Sequence, residues 1–335
     1  MRSITKARGL ITAAISVFVA VLLFEIGLQY RRRDLFPPPV PEATILFRKS
    51  ADPVLIYEMA PGSETSVNGV RYATNRAGFR DDEFPDSPGD DAARLLVIGD
   101  SVAMGLGVPM EQAFPQLLET LLSRDETGSA LNRPPLVYNL AVAGYSTEQE
   151  IRLLETRGLA LKPSRILWSY VLNDPDTVDG GLAFYFSAPR IELLRIAAAA
   201  MSKSTHLINN YRQAASLKHD YYRFIHERYA GKTEAQFSRL GEIQRRTGVP
   251  IDIIVSPVFK YAPGEPYPWA DIDARIRDLA MSNKLGFLDL FDVLGKRPWQ
   301  EVLQDELHPT AQGHQLIAET VLEYLSGDRG LKQQR

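Results

Sequence analysis

With 335 residues, 45% of them hydrophobic and 24% charged, the chain has the composition of a globular protein able to bury a sizeable core, which excludes disorder and a collagen-like fibre. Its 38 Lys and Arg against 41 Asp and Glu leave a net charge of -3 with no domain-sized basic excess, so nucleic-acid binding through charge is not expected. There are no cysteines, which excludes a disulfide scaffold, a thiolate zinc site and a cysteine nucleophile.

Residues 9–28 (GLITAAISVFVAVLLFEIGL) supply the roughly 20 apolar residues that a bilayer crossing needs, interrupted only by Glu25 near one end. The run ends in Gln29, Tyr30 and Arg31 to Arg33 rather than in small residues suited to cleavage, so it predicts an uncleaved transmembrane signal-anchor. Arg2, Lys6 and Arg8 compete with Arg31 to Arg33 over orientation; with the N-terminus inside, the rest of the chain is periplasmic or otherwise extracytoplasmic. Residues 34–50, with Phe36-Pro37-Pro38-Pro39-Val40-Pro41, read as a semi-rigid spacer. Residues 51–92 hold apolar stretches broken by Pro61-Gly62, Asn68-Gly69 and Ala77-Gly78, the pattern of an N-terminal extension with short strands. Asp86 to Asp91 (DSPGDD) reads as a polar linker.

Over 93–327, short apolar or β-branched runs alternate with stretches of helical period. The runs are 94–99, 136–140, 165–172, 251–255 and 286–290; the helical stretches lie near 111–124, 147–161, 233–247, 271–284 and 310–326. This alternation predicts an α/β domain, a three-layer α/β/α sandwich around a mainly parallel five-stranded sheet. Residues 175–232, rich in Phe and Tyr, form an insertion between the third and fourth strands, read either as a lid or substrate wall or as a helical subdomain that packs on the domain. Ligands of such sheets bind at the carboxyl ends of the strands.

Four blocks stand out, three of them at those ends. Gly99-Asp100-Ser101 follows the first strand, Gly144 the second and Asn173-Asp174 the third, while Asp305-Glu306-Leu307-His308 precedes the last helix. In this order the sequence resembles the SGNH, or GDSL-type, hydrolases over about residues 94–326, and Thr74-Asn75-Arg76-Ala77-Gly78-Phe79-Arg80 looks like the segment ahead of the catalytic domain in membrane-anchored members. The resemblance implies a flavodoxin-like SGNH fold. The third block carries Val171 where glycine is usual.

A serine hydroxyl becomes a useful nucleophile when a positioned base takes its proton, and an imidazole suits that task. His308 is the candidate base for Ser101, and Asp305 is close enough in sequence to accept the other ring N–H and fix the tautomer. The resemblance assigns the oxyanion hole to the Ser101 and Gly144 backbone N–H groups and the Asn173 amide. Asp100 and Asp174 read as turn-capping groups, and His206, His219, His226 and His314 as surface or packing residues. His314 is a possible decoy for His308. Gly99 to Gly107 lacks the lysine of a phosphate loop. No cofactor or metal is expected, and the oligomeric state is open. The expected function is O-acyl (acetyl) ester hydrolysis on an envelope carbohydrate or a lipid ester, through an acyl-enzyme on Ser101. The alternatives are an O-acyltransferase using the same triad, or a non-catalytic carbohydrate-binding or assembly module.

Overall fold

Strands buried on both faces need apolar residues throughout, and the three central runs of the sequence satisfy this. In the computed structural model, which describes residues 15–24, 45–85, 93–124, 135–175, 186, 221–259, 265–295 and 297–327, β5 (Ala93–Gly99), β7 (Arg165–Val171) and β8 (Ile251–Ser256) are buried along their whole length. With β6 (Pro135–Asn139) and β9 (Gly286–Asp289) they form one parallel five-stranded sheet in the order β6-β5-β7-β8-β9. Among the polar residues within these strands, Arg165 and Asp252 pair with each other across β7 and β8, and Tyr324 Oη donates to Asp252 Oδ1 at 2.8 Å.

Helices cover both faces. Helix α2 (Phe114–Arg124) packs with the last helix, α7 (Ala311–Gly327), on one side. On the other, α3 (Thr147–Leu153), α5 (Ala230–Thr247) and α6 (Ala270–Ser282) contact one another in sequence. Apolar spacing sets each buried stripe, as with Phe114, Leu118 and Leu122 in α2. The chain leaves β5 toward β6 on one flank and returns to β7 on the other, so the crevice between β5 and β7 is the switch point at which such sheets bind ligands.

Ahead of the sheet, β1 (Phe47–Lys49) pairs antiparallel with β2 (Tyr57–Met59), and β3 (Glu64–Val67) with β4 (Val70–Ala73). Asn68 and Gly69, both at positive φ, make the two-residue turn of the second hairpin. Residues 47–49, assigned to the spacer from sequence, instead form β1, because Leu46 and Phe47 are buried against the core. Leu55, Tyr57, Met59, Tyr72 and Phe79 join the same core as the strands of the main sheet, so the extension is packed into the domain.

Among the described residues, no helix is long and apolar enough to cross a membrane. Of the 9–28 run, residues 15–24 are described, as a helix whose apolar side chains, such as Phe18, Leu23 and Phe24, are exposed. The rest of that run, the Pro-rich stretch, the Asp86 to Asp91 linker, His206, His219 and most of the insertion lie outside the described residues. The insertion's far end is α4 (Tyr221–Arg228), continuing into α5.

Candidate active site

At the end of β5 the chain must turn sharply while pressed against β7. A Cβ at Gly99 would lie 3.0 Å from Ala103 Cβ, Ser169 Cβ and Ser169 O, so glycine is what permits the approach. The turn delivers Ser101 to the first position of a short helix, α1 (Ser101–Met104), capped by Asp100, whose Oδ1 accepts the Val102 N–H at 2.9 Å. Ser101 Oγ lies 2.9 Å from His308 Nε2, and His308 Nδ1 lies 2.8 Å from Asp305 Oδ2. The other Asp305 oxygen accepts the backbone N–H groups of Leu307 and His308, each at 2.9 Å, which fixes the carboxylate within its own tight loop.

That loop is tied down from three sides. The Gln304 N–H donates to His308 O at 2.8 Å, and Gln304 Nε2 reaches Leu106 O at 3.1 Å in the chain beyond α1. Glu306 O accepts from Phe259 N–H, and Glu306 Oε1 accepts from Tyr222 Oη in α4 at 2.9 Å. Ser101 and His308, 207 residues apart, are thus held by separate elements with several restraints each.

Gly144, exposed and at φ 77°, follows β6, and Asn173 follows β7, its Nδ2 donating to Asp100 Oδ2 at 3.3 Å. Gly144, Ser101 and Asn173 therefore stand at the ends of three neighbouring strands. Val171, in the place of the usual glycine, is an ordinary buried strand residue. Its N–H donates to Asp174 Oδ2 at 2.7 Å and its carbonyl accepts the Asp174 N–H at 3.0 Å, a closed turn that a β-branched residue fits. A match to the GDSL-like lipase/acylhydrolase family spans residues 97–316, which include Ser101, Gly144, Asn173, Asp305 and His308.

The chain belongs to that family. It is a serine ester hydrolase. Among solved structures it is similar to TesA, at 16% identity over 70% of this chain and 98% of that one, with a TM-score of 0.44. An acetylxylan esterase from Geobacillus stearothermophilus, Axe2, is 16% identical over 70% of this chain and 94% of its own, with a TM-score of 0.46. A lipase/acylhydrolase from Enterococcus faecalis is 18% identical over 70% and 96%, with a TM-score of 0.40. No curated protein matches the chain.

The electrostatics of the hydrolase site are set largely by burial. Asp305 is partly buried, which raises its pKa, but the two backbone N–H groups and the His308 ring outweigh that and hold the carboxyl below its usual range. Behind the serine lie three fully buried carboxyls, Asp100, Glu150 and Asp174, all pushed up by burial. Glu150 and Asp174 are raised further by the neighbouring acids, although Trp168 Nε1 donates to Glu150 Oε2 at 2.7 Å. Burial thus disfavours the charged form of each of these carboxyls. No group of His, Asp or Glu that could hold a metal ion occurs among the described residues.

His226 and His314 are packing residues. His226 Nε2 lies 3.0 Å from Leu172 O, one residue before Asn173. His314, completely buried, accepts the Phe114 N–H on Nδ1 at 3.2 Å and satisfies the first turn of α2. Burial, aided by the charges of Arg80 and His308, lowers its pKa to about 3, so it is neutral.

Sequence reasoning assigned the extension no specific residues at the site, and here the structure adds several. Arg80, buried to 1% exposure, donates to Met104 O at 3.0 Å, Gly105 O at 2.6 Å and Val108 O at 2.7 Å, holding the carboxyl end of α1 and the chain after it. The loop that presents Arg80 is folded by Asn75, whose Oδ1 accepts from Ala77 and Phe79 N–H while Nδ2 donates to Asp82 O. Asp81 Oδ2 accepts the Asn139 N–H at 2.8 Å at the end of β6. Tyr57 Oη donates to Ala143 O at 2.8 Å, and Gln149, whose Oε1 accepts the Ser146 N–H in the α3 capping box, donates from Nε2 to Leu55 O at 2.7 Å. The Thr74–Arg80 segment carried a sequence signal for this; Tyr57 carried none.

Proposed function

We propose that the protein hydrolyses an O-acyl ester, an acetyl group on an envelope carbohydrate or a lipid ester, through an acyl-enzyme on Ser101. The observation that carries this reading is the continuous line of hydrogen-bond distances from Ser101 Oγ to His308 Nε2 and from His308 Nδ1 to Asp305 Oδ2, 2.9 and 2.8 Å. Ser101 Oγ attacks the ester carbonyl while its proton passes to His308 Nε2. The bond to the alcohol then breaks, and the alcohol leaves with that proton. Water attacks the acyl-serine in turn, again giving a proton to Nε2, and the acid departs as Ser101 recovers it. Asp305 keeps the Nδ1–H tautomer in place and offsets the imidazolium charge. The oxyanion of each tetrahedral intermediate is received by the Ser101 N–H, the Gly144 N–H and the Asn173 amide. Residues 9–28 tether the domain to a membrane, with the domain outside the cytoplasm. The apolar length of that run and the exposure of its described part support this.

A fluorophosphonate probe, which bonds covalently to an activated serine, is the direct test, followed by p-nitrophenyl esters of increasing chain length to size the acyl pocket. Labelling is expected to map to Ser101, and Ser101→Ala should lose labelling and turnover, the latter on the order of 10³-fold or more. A folded Ser101→Ala protein that keeps near-normal turnover would overturn the mechanism. An unlabelled but ester-binding wild type would identify an idle binding module.

A further inference from the structure

An oxyanion donor on the main chain is only as well placed as its peptide plane. The donor read for Gly144 belongs to the peptide that links Ala143 to Gly144, and in a trans peptide the carbonyl and the N–H point in opposite directions. The Ala143 carbonyl of this unit accepts the Tyr57 hydroxyl at 2.8 Å. The Gly144 N–H makes no hydrogen bond among the described residues and so is available to a substrate. We infer that Tyr57, from the N-terminal extension, is a positioning residue that fixes and polarises the Ala143–Gly144 peptide so that its N–H is aimed at the developing oxyanion. The inference rests on the serine mechanism proposed above.

Several independent features hold Tyr57 to this task. Its side chain is 1% exposed, its ring meets Tyr145 edge-on at 5.2 Å and stacks on Phe186 at 5.9 Å, and its carbonyl accepts the Tyr145 hydroxyl at 2.6 Å. Burial, with Tyr145 and the nearby Asp100 and Glu150 charges, pushes the phenol well above its ordinary pKa, so it remains a donor across the working range. The preceding residue, Ile56, has φ 64°, a backbone state that β-branched side chains avoid and that persists only where surrounding structure enforces it. Ser50 N–H donates to Ile56 O at 2.9 Å and Ile56 N–H to Asp52 O at 3.1 Å, so the strained turn is locked just before Tyr57. On the other side, a Cβ at Gly144 would come within 2.9 Å of Tyr57 Oη. Position 144 is thus kept free of a side chain by the tyrosine as well as by its φ of 77°. A polarised carbonyl strengthens donation from the N–H of the same peptide, because chained hydrogen bonds reinforce one another.

The test is Tyr57→Phe in the full chain, which keeps the ring and removes the hydroxyl. Tyr72→Phe is the matched control, since it removes another buried hydroxyl that joins the extension to the domain, the one accepting Gly107 N–H. Fluorophosphonate titration counts competent sites, so kcat for p-nitrophenyl acetate is expressed per folded enzyme. Tyr57→Phe should lower kcat about tenfold with KM nearly unchanged, and should weaken a trifluoromethyl ketone, which forms a tetrahedral adduct, by the same factor. Tyr72→Phe should lose stability but keep its kcat per site. Wild-type kcat and inhibitor affinity in Tyr57→Phe, a change in KM alone, an equal kcat loss in Tyr72→Phe, or a Tyr57→Phe protein with no titratable sites would each overturn the inference. Failure of the wild type itself to label would instead remove the underlying serine mechanism, whatever Tyr57→Phe does.

Discussion

Asn173 sits between two demands. Its Nδ2 donates to Asp100 Oδ2 at 3.3 Å in the resting enzyme, which turns the amide toward the side of Ser101, and the same amide is the proposed side-chain donor to the oxyanion. Asn173→Ala should lower kcat by roughly 10²- to 10³-fold with a modest change in KM, the size usual for a lost oxyanion donor. Steady-state kinetics would separate this from a pure KM effect, which would place Asn173 in ground-state binding instead. Asn173→Asp should be at least as damaging, because it sets a carboxyl against Asp100 and puts negative charge where an anion must form. At this scale the sequence was informative: Ser101, Gly144, Asn173, Asp305 and His308 carry recognisable neighbours in the chain, and the fold sets Ser101, His308 and Asp305 at hydrogen-bond distance with Gly144 and Asn173 at the ends of the neighbouring strands. Tyr57 was not legible as a site residue, and Arg80 was legible only as part of a recognisable segment, because each acts through a hydrogen bond to a backbone carbonyl, and such an acceptor leaves no mark on the residue that supplies it.

Among the elements, α2 and α7 are joined by an interaction that depends on pH. The ring of His314 is neutral in the folded protein, with a pKa near 3, whereas in an unfolded chain it titrates near 6.5. Above about 6.5 both states hold a neutral ring, and the stabilisation from the Phe114 contact is fully present. As pH falls from 6.5 toward 3, the unfolded chain takes up a proton that the folded protein refuses, and that stability is lost. Asp81 and Asp273 slope the other way: burial pushes both up to about 7, so what they contribute is lost as pH rises through 7. A comparison of wild type with His314→Gln cancels the aspartates. The variant should be less stable near pH 7.5, by about 1–3 kcal/mol, and the gap in Tm should shrink steadily toward pH 4.5; a gap that does not change with pH would show that the ring is charged or exposed. Strands and long helices of the main domain were legible to within a few residues, since continuous apolar runs mark the strands and a period of 3.6 persists over the helices. The extension was legible only as turns, because strands of three or four residues are too short to show a period.

At the scale of the whole molecule, the proposed tether of residues 9–28 predicts a topology that reporter fusions read directly. A phosphatase reporter fused after residue 335 should be active if residues 9–28 anchor the chain with its domain outside the cytoplasm, and a cytoplasmic fluorescent reporter at the same place should be bright if they do not. The N-terminal extension is bound to both flanks of the crevice: Tyr57 and Gln149 on the β6–α3 side, Arg80 and Tyr72 beneath and beyond α1. Sequence reading drew a boundary at Asp86 to Asp91 on composition, which reports local polarity and is blind to contacts made 24 to 94 residues away.

The buried guanidinium of Arg80 therefore decides where a shortened version of this hydrolase can begin. Cutting at the acidic stretch near residue 90 looks natural, yet it leaves the carbonyls of Met104, Gly105 and Val108 facing an empty hole and strips Ala143 and Asn139 of their partners. Cutting ahead of Ile45 severs none of these. The portable unit, for expression or for grafting, starts about half a hundred residues before Ser101, the proposed nucleophile.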